Sequence, residues 1–155
     1  MNEYLKENID GPNISIGIVV AEYNSFITSK LLDATKRTLI SYDILSENIV
    51  ILEVAGAFEI PVIASRLAKS KRFDAIICLG AVIKGETDHY EYVSLAVTQG
   101  ISRISLDNDI PVIFGVLTTH NVEQALDRIG GKKGNEGEDY AVAALKAIHS
   151  INQII

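Results

Sequence analysis

The sequence contains one cysteine, no tryptophan and no apolar run approaching the ~20 residues that a membrane-spanning helix needs. A single thiol cannot form an internal disulfide, so we expect a cytoplasmic protein with no membrane partner. Cys78 lies inside an apolar run and is interpreted as a small buried hydrophobic residue. Basic residues are also in deficit, 14 against 20 acidic ones, for a formal net charge of −6. This charge disfavours nucleic acid as a partner, because it repels phosphate backbones.

No Gly-Lys-Ser/Thr phosphate loop, internal repeat, coiled coil or low-complexity linker is present, so nucleoside triphosphates are not indicated as ligands. The chain has 155 residues, of which 48% are hydrophobic and 22% charged, and this suits one α/β domain. We expect that domain to span residues 14–155. Residues 1–13 are predicted to be an N-terminal arm, which is either flexible or adds a strand to a neighbour's sheet edge.

Four short apolar runs, at 14–21, 49–54, 74–83 and 111–117, are predicted to be strands. They are apolar continuously, as in a parallel sheet covered on both faces. The segments between them carry apolar residues at helical spacing, and the fourth such helix includes Ala125 and Ile129. Asn24 or Ser25 is predicted to cap the first helix and Asn121 the fourth. The fold class is therefore α/β, a flavodoxin-like three-layer α/β/α sandwich with a four-stranded parallel sheet and helices on both faces.

Ligands of open parallel sheets bind beyond the carboxyl ends of the strands, which here selects residues 22–25, 56–59, 80–89 and 118–120. Within 85–89, Gly85 is expected to permit a turn, the amides of Glu86 and Thr87 to face an anion, and His89 to move protons. The alternative is a helix-capping turn made by Thr87 or Asp88, with His89 at the surface.

Two aromatic residues, Tyr23 and Phe58, stand at these strand ends and could sandwich a flat heterocycle. They could equally be loop residues that close over the sheet edge. Glu59 could accept hydrogen bonds from a ring or a sugar hydroxyl, or could simply favour a helix N-terminus by its charge.

These segments resemble the signatures of the lumazine synthase family. The matching motifs are AEYNSFIT at 21–28, GAFEIP at 56–61, GAVIKGETDHYEYV at 80–93, FGVLTT at 114–119, EQA at 123–125 followed by Arg128, and GN at 134–135 followed by Gly137. They occur in the family's order from about residue 14 to the end of the chain. Each motif alone is weak, and the set together is highly specific.

The resemblance implies a transferase of riboflavin biosynthesis that condenses 5-amino-6-(D-ribitylamino)uracil with 3,4-dihydroxy-2-butanone 4-phosphate. The product would be 6,7-dimethyl-8-ribityllumazine, with release of phosphate and water and without a metal or other cofactor. It also implies a homopentamer, or a 60-subunit icosahedral shell of pentamers, with sites shared between adjacent subunits. Riboflavin synthase would be a further candidate partner. The compact turn at 130–135 is like that of shell-forming relatives.

The family's site residues carry over by position, with His89 as the proton-transfer residue. The residues that would bind the pyrimidine and ribityl chain are Tyr23, Ala57, Phe58, Glu59, Ala81, Val82, Ile83 and Phe114. The residues that would bind the butanone phosphate are Glu86, Thr87 and Arg128. Phe114 and Arg128 would come from the adjacent subunit, although Arg128 could also be a solvated cation at a helix end.

The sequence departs from the family at Glu136, where many relatives have a lysine that helps to hold the phosphate. Lys132 or Lys133 is expected to compensate. Glu86 replaces a less acidic residue, so its amide rather than its carboxylate would face the phosphate. His120 and His149 have no motif support and are interpreted as structural or exposed. Two other hypotheses remain: a non-catalytic carrier of flavin or lumazine, and an FMN-binding flavodoxin-like domain.

Overall fold

The structure, a computed structural model, describes residues 1–154. Within them the helices and strands follow one another from an N-terminal helix to a long C-terminal one. In chain order they are α1 (Glu3–Glu7), β1 (Ile16–Ala21), α2 (Ser25–Ser41), β2 (Ile49–Val54), α3 (Ile60–Lys69), β3 (Ala75–Ile83), α4 (His89–Asn108), β4 (Val112–Thr119), α5 (Val122–Leu126), β5 (Ile129–Gly131), β6 (Gly134–Asn135) and α6 (Glu136–Asn152).

The main sheet has four parallel strands in the order β2-β1-β3-β4. This confirms the predicted three-layer α/β/α sandwich of flavodoxin-like type. The strand ends differ slightly from the prediction, since β1 begins at Ile16 and β4 continues to Thr119. Because all four strands run the same way, the loops that follow them meet at one edge of the sheet.

Side chains of each central strand alternate between two separate hydrophobic cores. On β1, Ile16, Ile18 and Val20 enter the core that α2 and α6 cover. Val19 and Ala21 enter the opposite core, which α3 and α4 cover. Every residue of β1 is buried, as expected for a strand with helices on both faces.

Within the single chain, residues 3–7 of the predicted N-terminal arm form a short docked helix, α1. The Asn2 side chain caps α1 by accepting a hydrogen bond from the Leu5 amide at 3.0 Å, and Leu5 is buried in the core. The Asn2 amide donates to Tyr42 Oη at 2.8 Å, and Lys6 Nζ donates to the Ser41 carbonyl at 2.8 Å. Leu5 therefore buries its apolar surface against its own chain.

The fourth predicted helix is shorter than its apolar spacing suggested. Asn121 caps α5 as expected, accepting from the Gln124 amide at 2.8 Å, but the helix ends at Leu126. A two-stranded antiparallel hairpin, β5–β6, follows instead. Gly130 (φ 116°) and Gly134 (φ 73°) supply the left-handed backbone that this hairpin needs and that side chains disfavour. Arg128 thus lies in the turn between α5 and β5, and not at a helix end.

Candidate functional site

A groove of about 770 Å³ lies at the carboxyl edge of β1, β2 and β3, and we call it the β1–β3 groove. It is lined by Tyr23, Asn24, residues 55–59, residues 81–83, Gly85, Thr87, His89, Tyr90, Tyr92 and Val93. Most of the residues predicted to form a site are therefore brought together on one face. These are Tyr23, Ala57, Phe58, Glu59, Ala81, Val82, Ile83, Thr87 and His89.

The two predicted aromatic residues project freely into the groove from fixed backbone. The Tyr23 amide extends the sheet by donating to the Ala55 carbonyl at 3.0 Å, and Phe58 lies in a single 3-10 turn closed by the Glu59 amide and the Gly56 carbonyl at 3.2 Å. Their side chains are 73% and 62% exposed, respectively. Rings exposed to this extent can offer a face to a planar ligand.

The loop after β1 is tied to β3 by Asn24, which was predicted as a helix cap. Asn24 does precede α2, but its side chain makes no capping bond. Its Nδ2 instead donates to the Ala81 carbonyl at 2.9 Å, and its backbone is left-handed at φ 59°. Asparagine tolerates this conformation better than most residues, which explains the residue type here. Asn24 therefore holds Tyr23 and Ala81 in a fixed relation.

The carboxylate of Glu59 is available to a ligand. Glu59 immediately precedes α3 but makes no side-chain capping bond to it. Among the residues 1–154 that are described, no hydrogen bond or salt bridge engages this carboxylate. Gly56 lies directly beneath it, since a Cβ added to Gly56 would lie 3.3 Å from Glu59 Oε2. The carboxylate can thus accept hydrogen bonds without breaking an internal contact.

The 85–89 segment differs in part from its prediction. His89 begins α4, and both Thr87 and His89 are exposed and line the groove. Thr87 Oγ1 accepts from the His89 amide only at 3.4 Å, and Asp88 makes no side-chain cap, so the capping-turn alternative has weak support. Glu86 is exposed but does not line the groove. The expected need for glycine at Gly85 was wrong, because its φ is not left-handed and a Cβ there would meet open space.

The remaining predicted residues, Phe114 and Arg128, line a second cavity of about 640 Å³, which we call the Arg128 cleft. Its other lining residues are Val116, Leu117, Thr118, Thr119, Gln124, Asp127, Lys133, Glu136 and Tyr140. Phe114 is 38% exposed on the edge strand β4. The cleft and the β1–β3 groove share no lining residue. One chain therefore presents the predicted site residues on two separate surfaces.

The family model for 6,7-dimethyl-8-ribityllumazine synthase matches residues 13–152. The chain belongs to the lumazine synthase family. The match includes both cavities and begins after α1, and it confirms the resemblance drawn from the motifs. Membership of the lumazine synthase family implies lumazine formation in riboflavin biosynthesis.

Arg128, which was predicted to bind the phosphate, is paired internally in this chain. Arg128 Nη1 contacts Glu136 Oε1 at 2.7 Å, and Tyr140 Oη donates to Glu136 Oε2 at 2.5 Å. Burial, followed by the hydrogen bond to Glu136, raises the pKa of Tyr140 well above its ordinary value, so its hydroxyl keeps its proton. Lys133 lines the same cleft and is the better placed of the two lysines expected to compensate for Glu136.

Several residues of the two cavities were not predicted from the sequence. Tyr90, Tyr92 and Val93 follow the loop that was identified, one helical turn further on. They begin the helix that follows a strand end, where ligands of parallel sheets bind, and this position could have identified them. Tyr140 was not predicted, although it lies four residues after Glu136 on α6, a spacing that places two side chains together on one helix face. His120, interpreted as structural or exposed, is exposed, and its ring packs edge-on against Tyr90 with centroids 6.3 Å apart.

Three further observations concern the described residues. Within 1–154 no group of three or more His, Cys, Asp or Glu side chains is arranged to hold a metal ion. No helix in that range combines the length and the apolar character of a membrane span. Cys78 is fully buried, as predicted, and burial raises its pKa to about 12. Its thiol stays protonated near neutral pH and cannot act there as a nucleophile.

Proposed function

We propose that this protein condenses 5-amino-6-(D-ribitylamino)uracil with 3,4-dihydroxy-2-butanone 4-phosphate to form 6,7-dimethyl-8-ribityllumazine, with release of inorganic phosphate and water. The observation that carries the proposal is the β1–β3 groove, which unites exposed aromatic rings, a free carboxylate, a hydroxyl and a histidine at one sheet edge. Family membership gives the class of reaction, and the groove has groups suited to each part of the substrates.

The pyrimidine and its ribityl chain are assigned to the inner part of the groove. The rings of Tyr23 and Phe58 offer stacking faces for a planar heterocycle. Backbone groups of Ala81, Val82 and Ile83 would contact the ring edge, beside Ala57. The free carboxylate of Glu59 would accept hydrogen bonds from ribityl hydroxyls. Rigid placement of the nucleophilic amine is the main contribution of these residues.

The phosphorylated ketone is assigned to the outer part, near Thr87 and His89. The substrate amine attacks the ketone, water leaves as the imine forms, and loss of phosphate precedes ring closure. His89 would transfer protons between the attacking amine and the departing oxygens, since a neutral imidazole has both a donor and an acceptor nitrogen. The backbone amide of Glu86 would donate a hydrogen bond to the phosphate.

Phe114 and Arg128 would reach this site from an adjacent copy of the chain. Within one chain they line a separate cleft, and none of the described residues that line the groove beside His89 is a lysine or arginine. We therefore propose that the active form is a homopentamer with one site at each subunit boundary, either alone or within a 60-subunit shell. Sedimentation velocity distinguishes these forms, since a single species of pentamer mass at all concentrations excludes the shell.

Mixed assemblies test the shared site directly. Arg128→Ala and His89→Ala chains are co-expressed with different tags, and hybrids are isolated. A random equimolar hybrid would contain about a quarter of its boundaries with both residues intact, and so would regain up to about a quarter of wild-type activity. If each site lies within one chain, hybrids show only the average of the two variants.

The reaction itself is tested by incubating the purified protein with both substrates. Lumazine fluorescence and released phosphate should rise together at a one-to-one ratio, and omission of either substrate should abolish both signals. Saturable binding of the pyrimidine without product would contradict the proposal.

A second candidate, a carrier of lumazine or flavin without catalysis, is favoured by one observation. The Arg128 guanidinium is already neutralised by Glu136, which weakens its attraction for a phosphorylated substrate. Tight lumazine binding with no turnover in the same assay would select the carrier.

A further inference from the structure

The Arg128 cleft contains a carboxylate that occupies the position an anionic ligand would take. Glu136 Oε1 lies 2.7 Å from Arg128 Nη1, a distance typical of charge-assisted hydrogen bonds. The opposite oxygen, Oε2, accepts the Tyr140 hydroxyl at 2.5 Å. The carboxylate is therefore held from both sides, and its side chain is only 21% exposed, against 46% for Arg128.

The backbone makes this contact a fixed feature of the fold. Arg128 and Glu136 flank the β5–β6 hairpin, in which Ile129 pairs with Asn135. The Glu136 amide donates to the Arg128 carbonyl at 2.8 Å, so the two residues are joined through main chain as well as side chain. Glu136 is also the first residue of α6, where a negative charge is favourable.

The charged side chains that line the cleft cancel one another. Arg128 and Lys133 are positive, Asp127 and Glu136 are negative, and the formal sum is zero. The guanidinium has five N–H donors, so an anion can bind beside Glu136 without displacing it. In either arrangement the anion loses affinity: it must break the ion pair, or it must lie next to a like charge.

We propose that Glu136 is a specificity-determining residue that competes with anionic ligands for Arg128 and keeps the affinity of the cleft for phosphate low. This rests on the proposed function in that the natural anion would be the phosphate of the ketone substrate, and afterwards the phosphate released from it. Tyr140 acts as a positioning residue, because its bond to Oε2 directs Oε1 toward the guanidinium. Weak retention of phosphate favours its departure after each turnover.

A charge series at position 136 tests the proposal with inorganic phosphate as the probe. The full-length protein in its own oligomeric state is titrated by isothermal calorimetry at low ionic strength, as wild type, Glu136→Gln and Glu136→Lys. We expect Glu136→Gln, which has nearly the same shape, to bind phosphate about 10-fold more tightly than wild type, and Glu136→Lys to bind more tightly still. The matched control is Glu138→Gln, which removes the same charge from an exposed side chain outside the cleft. It should leave the dissociation constant for phosphate unchanged.

Two outcomes overturn the proposal. One is that Glu136→Gln binds phosphate no more tightly than wild type while its thermal unfolding shows a folded protein. The other is that Glu138→Gln tightens binding equally, since the effect would then be one of overall charge. Adding Arg128→Gln to Glu136→Gln should remove the gain, which locates the bound anion at Arg128.

Kinetics separate this inference from the proposed function. If the protein makes lumazine, Glu136→Gln should lower KM for the phosphorylated ketone, strengthen product inhibition by phosphate and leave KM for the pyrimidine unchanged. If it makes none, the proposed function fails, and the phosphate titration still decides the role of Glu136.

Discussion

The β1–β3 groove and the Arg128 cleft differ in how their polar groups are engaged. In the groove, Glu59 has no internal partner among the described residues, and the aromatic rings are largely exposed. In the cleft, Arg128, Glu136 and Tyr140 satisfy one another. The groups of the groove are thus free to contact a ligand, whereas an anion entering the cleft must either displace Glu136 from Arg128 or lie beside a like charge.

The difference shows that a site residue's position and its electrostatic state are separate properties. Position follows from topology, since residues at the carboxyl ends of parallel strands share one edge of the sheet. The state of Arg128 follows from a contact across a hairpin with a residue eight positions away. Two chains with the same arginine can therefore bind phosphate with different affinity.

Arg128→Ala should produce the largest effect. It removes a cation and leaves Glu136 without its positive partner in the cleft, so the formal charge of the lining falls below zero. We expect kcat/KM for the phosphorylated ketone to fall by about 100-fold or more, while pyrimidine affinity changes little. Steady-state kinetics with each substrate varied in turn measure both effects.

The matched control is Arg103→Ala, which breaks an exposed ion pair with Asp107 on α4. It should leave kcat/KM for the phosphorylated ketone and the affinity for the pyrimidine unchanged. Equal losses for the two substrates in Arg128→Ala would place Arg128 outside the ketone site and remove the functional contrast between cleft and groove.

His89→Ala should have an intermediate effect, confined to turnover. The stacking faces and Glu59 remain in place, so the substrates are still held together and only a proton-transfer group is lost. We expect kcat to fall by ~10–100-fold with little change in pyrimidine affinity. His149→Ala, which alters a histidine of α6 outside the groove, is the control and should behave as wild type. Complete loss of turnover would show that His89 does more than move protons.

Phe58→Ala should act on binding in the groove. The ring is 62% exposed and supports little of the core, so its removal should cost little stability. We expect about a 10-fold loss of pyrimidine affinity, from lost stacking and burial. Fluorescence titration with the pyrimidine substrate measures this affinity in the variant and in the wild type. Tyr23→Phe keeps a ring at the other stacking position and should change affinity little. If Phe58→Ala binds as wild type does, the ring is not a stacking face.

Much of this arrangement follows from short-range signals in the sequence. Continuous apolar runs located the four parallel strands, and the strand-end rule selected the segments that hold Tyr23, Phe58 and His89. Capping chemistry correctly placed Asn121 before α5. The separation of Phe114 from His89 was also expected, because Phe114 lies within a strand and not beyond its end.

The errors arose where tertiary contacts override local pattern. Apolar spacing predicted a helix through Ile129, but Val122 and Leu126 are 44% exposed, and only Ala125 of α5 is buried. The polar N-terminus concealed α1, because Leu5 is the single buried residue of this helix and its other anchors are the hydrogen bonds of Asn2 and Lys6 to distant residues. The pairing of Glu136 with Arg128 needed the hairpin, which sequence pattern did not reveal. Such contacts depend on packing, and no periodicity encodes them.

Tyr140→Phe should have the smallest effect. It tests the hydrogen bond from Tyr140 to Glu136, an internal contact of the cleft that has no counterpart at Glu59 in the groove. At neutral pH the variant loses one hydrogen bond to Glu136, at a cost of about 1 kcal/mol in the free energy of unfolding. The pKa of Tyr140 is raised in the folded state from its ordinary value of 10.0, first by burial and then by Glu136. The folded protein therefore holds this proton more tightly than the unfolded chain does.

The sign of the pH dependence follows from that difference. Below pH 10 both states hold the proton, and the contribution of the neutral hydroxyl to stability is complete; above pH 10 the unfolded chain loses its proton first, and stability falls as pH rises. Denaturant unfolding between pH 8 and 11 should show wild type losing up to about 1.4 kcal/mol per pH unit more than Tyr140→Phe in the alkaline part of that range. Tyr4→Phe, which removes an exposed hydroxyl, should keep the wild-type slope. Parallel curves for wild type and Tyr140→Phe would mean that the hydroxyl is neither buried nor held by Glu136, and the cleft would then resemble the groove in having a carboxylate free to move.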